Sequence, residues 1–263
     1  QACGDQGPGR MAEPEGLVLA LAATRRTAVR SRSALAGALV GRTVIVTTGP
    51  TREAIDPVRY ISNHSSGLQG LAIAEAARQA GAQVVLIAGP GVSDSADDIQ
   101  RINVTTALDM HAKVQEHLAS ADVFIGVAAV ADYRPANAEA QKIKRHLQAN
   151  QDVELSLVEN PDIIASVVAA GQTNIVIGFA AETHDTLQHA RDKRVRKGLD
   201  AIVVNDVSDQ SIGFNSSDNA VTLIHEGGEI NFGRQPKTAI GEQLMQQVIE
   251  LFGEKLISQK KLP

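Results

Sequence analysis

The sequence predicts an α/β fold, a Rossmann-like three-layer sandwich with a mostly parallel central sheet and a C-terminal β-hairpin. Three observations carry that reading. Short β-branched apolar runs recur between residues 43 and 204 and alternate with Ala-rich or charged segments of helical spacing, the pattern of βαβ units with helices on both faces of a sheet. The 263 residues show no internal repeat and suffice for one large α/β domain. With 43% hydrophobic and 21% charged residues, the composition is that of an ordinary folded domain rather than a disordered chain.

The elements follow in order. Residues 1–16 are rich in Gly and Pro, and four arginines between 25 and 32 punctuate a Ser/Ala stretch, so residues 1–40 read as tail and linker. The chain reads as beginning partway through something longer, and one domain is expected over 41–258. Residues 43–48 are a buried strand closed by Gly49-Pro50. A long loop reaches to Ser66, and an Ala-rich helix follows over 67–81 with Ser65 or Ser66 as its cap. Strands at 83–88 and 101–105, a helix at 107–120 and a strong strand at 122–127 continue the alternation. An Ala-rich turn at 128–132 and a polar stretch at 134–152 interrupt it. Then come a strand at 153–158, a helix at 161–170, a strand at 174–179, a helix at 184–197 and a strand at 201–204. Residues 221–225 and 229–232, joined around Gly227-Gly228, form a hairpin, and a helix over 237–255 closes the domain.

Composition removes several functions. With 25 Lys and Arg against 30 Asp and Glu, the net charge is −5, and five Phe, two Tyr and no Trp make no base-stacking platform, so no nucleic-acid partner is expected. The apolar run at 123–131 is too short to cross a bilayer, and no charged-then-apolar leader opens the sequence. A single cysteine, Cys3, leaves no internal disulfide and no multi-cysteine zinc site. These features read as a cytoplasmic protein without a membrane partner.

The loops at strand ends narrow the chemistry. Neither G-x-G-x-x-G nor an acidic residue at the end of the second strand is present, which argues against a dinucleotide site; G-x-x-x-x-G-K-[ST] and G-x-S-x-G are also absent. Asn63, Ser65, Ser66 and Gly67 instead lead into a helix N-terminus, where hydroxyls, a glycine and backbone N–H groups at a positive dipole end make an anion site or, more simply, an ordinary Ser cap. Gly126, Val127 and Ala128 end the strong strand with small residues that let a ligand approach the backbone, and Asp132 is placed to accept a hydroxyl or a base N–H, to help hold a metal, or to serve simply as a helix cap or turn residue. Lys142, Ile143, Lys144 and Arg145 form a basic run that closes over a triphosphate or remains a solvated charge run. Lys193 and Lys197 share one helix face, which points at phosphates or simply faces solvent. The histidines other than His64 read as surface residues without metal-ligand spacing.

Residues 49–53, 55–67, 128–134, 142–144, 160–163 and 178–183, with 205–207 and 213–215, together resemble bacterial phosphopantothenoylcysteine synthetase, in order from about Gly41 to Phe252. In bacteria that enzyme is usually the C-terminal half of a bifunctional coenzyme A biosynthesis protein, whose N-terminal half is a flavin-dependent decarboxylase. Residues 2–11 are similar to the last motif of that half, with Cys3 at its proton-donor position, so the tail is expected to be its remnant and FMN is not expected here. The resemblance implies CTP-dependent joining of 4′-phosphopantothenate to L-cysteine through an acyl-cytidylate, with Mg²⁺ assisting and a homodimer as the working form. It implies that Gly126, Val127, Ala128, Asp132, Lys142, Pro161, Asp162, Ile163, Ile164, Phe179, Lys193 and Lys197 meet CTP. It places Asn63 and Lys142 in the catalytic role and Asn63, Ser65, Ser66 and Gly67 at the acyl substrate, with metal ligands unassigned.

Two departures accompany the resemblance. Leu68-Gln69 stand where the family often has Lys-Met, which removes a positive charge from the helix N-terminus, and Arg145 stands where a third flap lysine is common. An ATP-dependent ligase and a nucleotide-binding module without turnover remain the alternative readings, the second supported by Leu68-Gln69.

Overall fold

The computed structural model describes residues 35–144, 154–182, 185–206 and 216–257. Its strands are β1 (Thr43–Thr48), β2 (Arg52–Ala54), β3 (Tyr60–Ser62), β4 (Gln83–Ala88), β5 (Gln100–Asn103), β6 (Val123–Gly126), β7 (Tyr133–Pro135), β8 (Leu157–Glu159), β9 (Ile175–Glu182), β10 (Ala201–Asp206), β11 (Asp218–His225) and β12 (Gly228–Pro236). Its helices are α1 (Leu68–Gln79), α2 (Ala107–Leu118), α3 (Ile163–Ala170), α4 (Thr186–Lys197) and α5 (Lys237–Ile257). Cys3 and the decarboxylase-like tail, the stretch at 145–153 and residues 207–215 lie outside the described residues.

Eight strands form one sheet in the order β12-β11-β10-β9-β6-β1-β4-β5. Strands β5 to β10 of that order run parallel, and β11 and β12 add an antiparallel hairpin at one edge. The chain leaves β1 for β4 and β5, then returns to place β6 on the other side of β1. That reversal opens a crevice beyond the carboxyl ends of β1 and β6.

Both faces of the parallel strands are buried, so their side chains alternate between two cores. Val44, Val46, Leu86, Ile125 and Ile177 pack under α1 and α5, while Ile45, Ile87, Phe124 and Ile202 pack under α2, α3 and α4. Helices α1 and α5 approach closely: a Cβ on Gly241 would lie 2.6 Å from the Ala72 carbonyl oxygen. Helix α2 is started by Thr106, whose hydroxyl accepts the Asp109 N–H while the Asp109 carboxylate accepts the Thr106 N–H, a reciprocal capping box. The Glu53 carboxylate, buried on β2, accepts the next N–H, that of Ala107, at 2.9 Å.

Three expectations change. The long loop after β1 holds a short antiparallel hairpin, β2–β3. The strand expected at 153–158 is not part of the alternation: within the described residues it is β8 at 157–159, paired antiparallel with β7 outside the main sheet. All three β8 residues are exposed, and an apolar pair such as Leu157-Val158 looks the same in sequence whether it enters a core or a surface hairpin. Ahead of Gly41, Leu35 and Leu39 are buried in the core beneath α1. No helix among the described residues is long and apolar enough to cross a membrane.

Candidate functional site

A cavity of about 710 Å³ opens over the carboxyl ends of β1, β6, β9 and β10. Its floor is made by two stretches of chain running side by side. The Val127 N–H donates to the Thr47 carbonyl, the Ala129 N–H to the Gly49 carbonyl at 2.9 Å, and the Ala131 N–H to the Thr51 hydroxyl at 3.0 Å. The small residues of the 127–131 turn therefore extend the β1–β6 pairing beyond the sheet, and Thr51, fully buried, locks its far end. Asn160 fixes the same turn from the other side, its side-chain amide donating to the Ala131 carbonyl at 2.8 Å.

The β3 loop crosses this floor. The Asn63 amide Nδ2 donates to the Val130 carbonyl at 2.9 Å, and the Ser62 hydroxyl donates to the Thr51 carbonyl at 2.7 Å. Asn63, Ser65, Ser66 and Gly67 all line the cavity, as expected. The cap differs from the expectation. Gly67 itself is the N-cap of α1, at φ 71°, with no side-chain cap hydrogen bond, and the Ser65 hydroxyl accepts the Gly67 N–H at 3.3 Å. Glycine is required there because a Cβ would meet Val92 Cγ2 at 2.5 Å and the backbone is left-handed. The Thr48 hydroxyl holds the turn by donating to the Gly67 carbonyl at 2.8 Å. The positive end of α1 thus faces the cavity without a serine cap.

Val127 and Ala128 of the floor, together with Asp132, Pro161, Asp162, Ile163, Ile164, Phe179, Lys193 and Lys197, also line the cavity, so the structure gathers most of the expected nucleotide residues. Asp162 caps α3 by accepting the Ala165 N–H at 3.0 Å and pairs with Lys197 Nζ at 2.6 Å. Desolvation raises the Asp162 pKa, but the Lys197 hydrogen bond, the Ala165 N–H and the charges of Lys197 and Lys193 outweigh it, and the carboxyl sits below its ordinary value. Two expected residues stand elsewhere. Gly126 lies beneath the wall, where a Cβ would meet the Ile164 side chain at 2.9 Å. Lys142 is exposed and is not part of the cavity wall.

The segment carrying Lys142 is tied to the β2–β3 hairpin. Asp56, buried, accepts the N–H groups of Val58 and Arg59 at 2.8 Å and that of Ile143 at 3.2 Å, and pairs with the Arg59 guanidinium. Arg59 in turn donates to the Ile143 carbonyl at 3.0 Å. The Arg59 guanidinium, aided by the three N–H donors and opposed by desolvation, holds the Asp56 carboxyl well below the usual carboxylate range.

Among the described residues no three His, Cys, Asp or Glu side chains are placed to hold a metal ion. The carboxylates in the cavity wall are Asp132, Glu159 and Asp162, the last engaged by Lys197. The described residues build no magnesium cage of their own.

Sequence reasoning missed Thr48, Thr51, Gln69, Asn219 and Lys237. Thr51 stands in the 49–53 block that carries the resemblance, but nothing in that block marks its hydroxyl as the acceptor that fixes the 127–131 turn. Gln69, Asn219 and Lys237 come from segments up to 168 residues apart, so no local pattern connects them.

A doubly wound parallel sheet with a cavity at its switch point, where such sheets take their ligands, defines a ligand-binding type of α/β domain. The chain belongs to the family of the DNA/pantothenate metabolism flavoprotein C-terminal domain, whose model matches residues 39–252. It is 46% identical over 251 residues to the Vibrio cholerae coenzyme A biosynthesis bifunctional protein CoaBC, covering 95% of this chain and 60% of that protein. The chain thus spans about three fifths of the length of that relative. The crystal structure of a CoaBC C-terminal domain matches with a TM-score of 0.70 at 33% identity, covering 83% of this chain and all of that one. A Cab2 mutant in complex with phosphopantothenate-cysteine matches with a TM-score of 0.68 at 16% identity, covering 82% of this chain and 88% of that one, a likeness of fold.

Proposed function

We propose that this domain is a phosphopantothenate–cysteine ligase of coenzyme A biosynthesis, using CTP and passing through an acyl-cytidylate. The observation that carries the reading is the meeting, in one cavity, of the Asn63 carboxamide and the α1 N-terminus with a nucleotide wall bearing Lys193 and Lys197. Two substrates must meet for this reaction, and the cavity has two chemically distinct sides.

In the first step a carboxylate oxygen of 4′-phosphopantothenate attacks the α-phosphorus of CTP, and the bond to the β-phosphate oxygen breaks, releasing pyrophosphate. In the second step the cysteine amine attacks the acyl carbon, the acyl–oxygen bond breaks, CMP leaves, and the amine gives up a proton. No side-chain nucleophile is needed. Lysines and helix N-terminal N–H groups stabilise charge on the phosphates, and the Asn63 amide, oriented by the Val130 carbonyl, hydrogen-bonds the acyl group without repelling it. Gly126 supports this site from beneath Ile164. Mg²⁺ would supply charge neutralisation on the nucleotide phosphates, and the described residues offer it no ligand set of their own.

Lys142 is the proposed flap lysine. Standing outside the cavity, it meets the triphosphate from a closed position of its segment or from the second copy in the proposed homodimer. The proposed setting is the cytoplasm, with a flavin-dependent decarboxylase half upstream. The test is pyrophosphate release with 4′-phosphopantothenate, CTP and ATP being compared with and without cysteine. The expected result is CTP-dependent release, with phosphopantothenoylcysteine formed only when cysteine is present; silence from folded protein with both nucleotides contradicts the reading.

A further inference from the structure

The cavity has a second cationic end that the nucleotide does not account for. Lys237, the first residue of α5, lines it while being only 6% exposed. Around it lie two buried amides from distant elements: Gln69 Nε2 donates to the Lys237 carbonyl, and Asn219 Nδ2 donates to Gln69 Oε1, both at 3.3 Å. The Lys237 N–H is held by the Ser217 carbonyl at 3.0 Å. The Gln69 and Asn219 side chains also line the cavity, as does Asn205, whose buried Oδ1 has no hydrogen-bond partner among the described residues.

The position is a costly one for a cation. Burial disfavours its charge and lowers its pKa, and the N-terminus of α5 adds the positive end of a helix dipole. Both costs fall when an anion occupies the cavity beside it. Lys193 and Lys197 belong to α4, whereas Lys237 belongs to α5, packed on the opposite face of the sheet. The cavity therefore has two lysines on one side of the strand ends and one on the other.

We infer that Lys237 is the cationic contact for the phosphate monoester of the acyl substrate, with Gln69 and Asn219 as the residues that position it. The inference rests on the ligase reading for the identity of that substrate. A carboxylate that must reach the α-phosphorus of a nucleotide lies toward the Lys193–Lys197 side. The anion left for the other side is the phosphate at the substrate's far end. Lys237 then makes the enzyme select phosphorylated over unphosphorylated pantothenate.

The experiment is calorimetric binding of 4′-phosphopantothenate, pantothenate and CTP to the wild-type chain and to Lys237→Met and Lys237→Arg. A charge-assisted contact predicts that the wild type prefers the phosphorylated ligand by roughly 10- to 100-fold. It predicts that Lys237→Met loses most of that preference while keeping its CTP affinity, and that Lys237→Arg retains much of it. An unchanged preference in Lys237→Met overturns the inference, as does an equal loss of CTP binding, which would place the lysine on the nucleotide. The wild-type protein provides a second measurement that needs no variant to fold. In reductive methylation followed by mass spectrometry, 4′-phosphopantothenate shields Lys237 and pantothenate does not; equal shielding by both overturns the inference. Absence of ligation by a wild type whose phosphate preference is lost in Lys237→Met contradicts the ligase reading and supports the lysine's assignment.

Discussion

The Asn63 carboxamide gives one of its two N–H groups to the Val130 carbonyl, so its chemistry depends on being an amide rather than an acid. In Asn63→Asp the donor to the Val130 carbonyl is lost, and a carboxylate would face both that oxygen and the acyl phosphate of the proposed intermediate. We expect breakdown of the acyl-cytidylate by cysteine to fall about 100-fold, the scale of one lost transition-state donor, with its formation affected far less. Quenched-flow separation of the two half-reactions checks this, and equal losses in both would contradict the role. At this scale the residues of the site were legible where they sit in one loop, as at 63–67 and 160–164. They were not legible where they meet across the fold. Nothing near Lys237 in sequence marks it as facing the same cavity as Gln69.

At the scale of elements, the start of α1 depends on small residues pressing against β1. A Cβ on Gly70 would lie 2.3 Å from Thr48 Oγ1 and 2.5 Å from Thr48 Cβ, and Thr48 is also the hydroxyl that holds Gly67. Gly70→Ala is therefore expected to destabilise the domain by about 1–3 kcal/mol and to weaken substrate binding along with it; an unchanged denaturant midpoint would contradict this. The Gly67-to-Gly70 spacing, uninformative as a nucleotide motif, is a packing device here. The clasp of Asp56 gives a pH prediction. Its carboxyl is held below its ordinary value by Arg59, so the ionised form is the one that stabilises the closed clasp. Amide protection at Ile143 should be complete above about pH 4, decline as the pH falls further, and vanish once the lowered folded value is passed. Hydrogen exchange measures this, and a loss already near roughly pH 6 would contradict the clasp as its source.

Across the whole molecule, the order of strands and helices was legible because buried parallel strands are continuous apolar runs, and β1, β4, β6, β9 and β10 all have that form. The two small hairpins were not. Strands β2, β3, β7 and β8 have only three residues each, too few for a periodic pattern, and their pairing depends on the main sheet having folded beside them. The cavity follows from topology as much as from composition: the reversal between β1 and β6 opens it, and helices on opposite faces supply its two cationic ends. In the proposed reaction a carboxylate is activated there by transfer of a nucleotidyl group to its oxygen. The most direct measurement follows an ¹⁸O label placed in the carboxylate of 4′-phosphopantothenate through one turnover with CTP and cysteine. Activation as an acyl-cytidylate predicts one labelled oxygen in the phosphate of the CMP released and none in pyrophosphate. Label in inorganic phosphate or pyrophosphate, or product formed with unlabelled CMP, would contradict it.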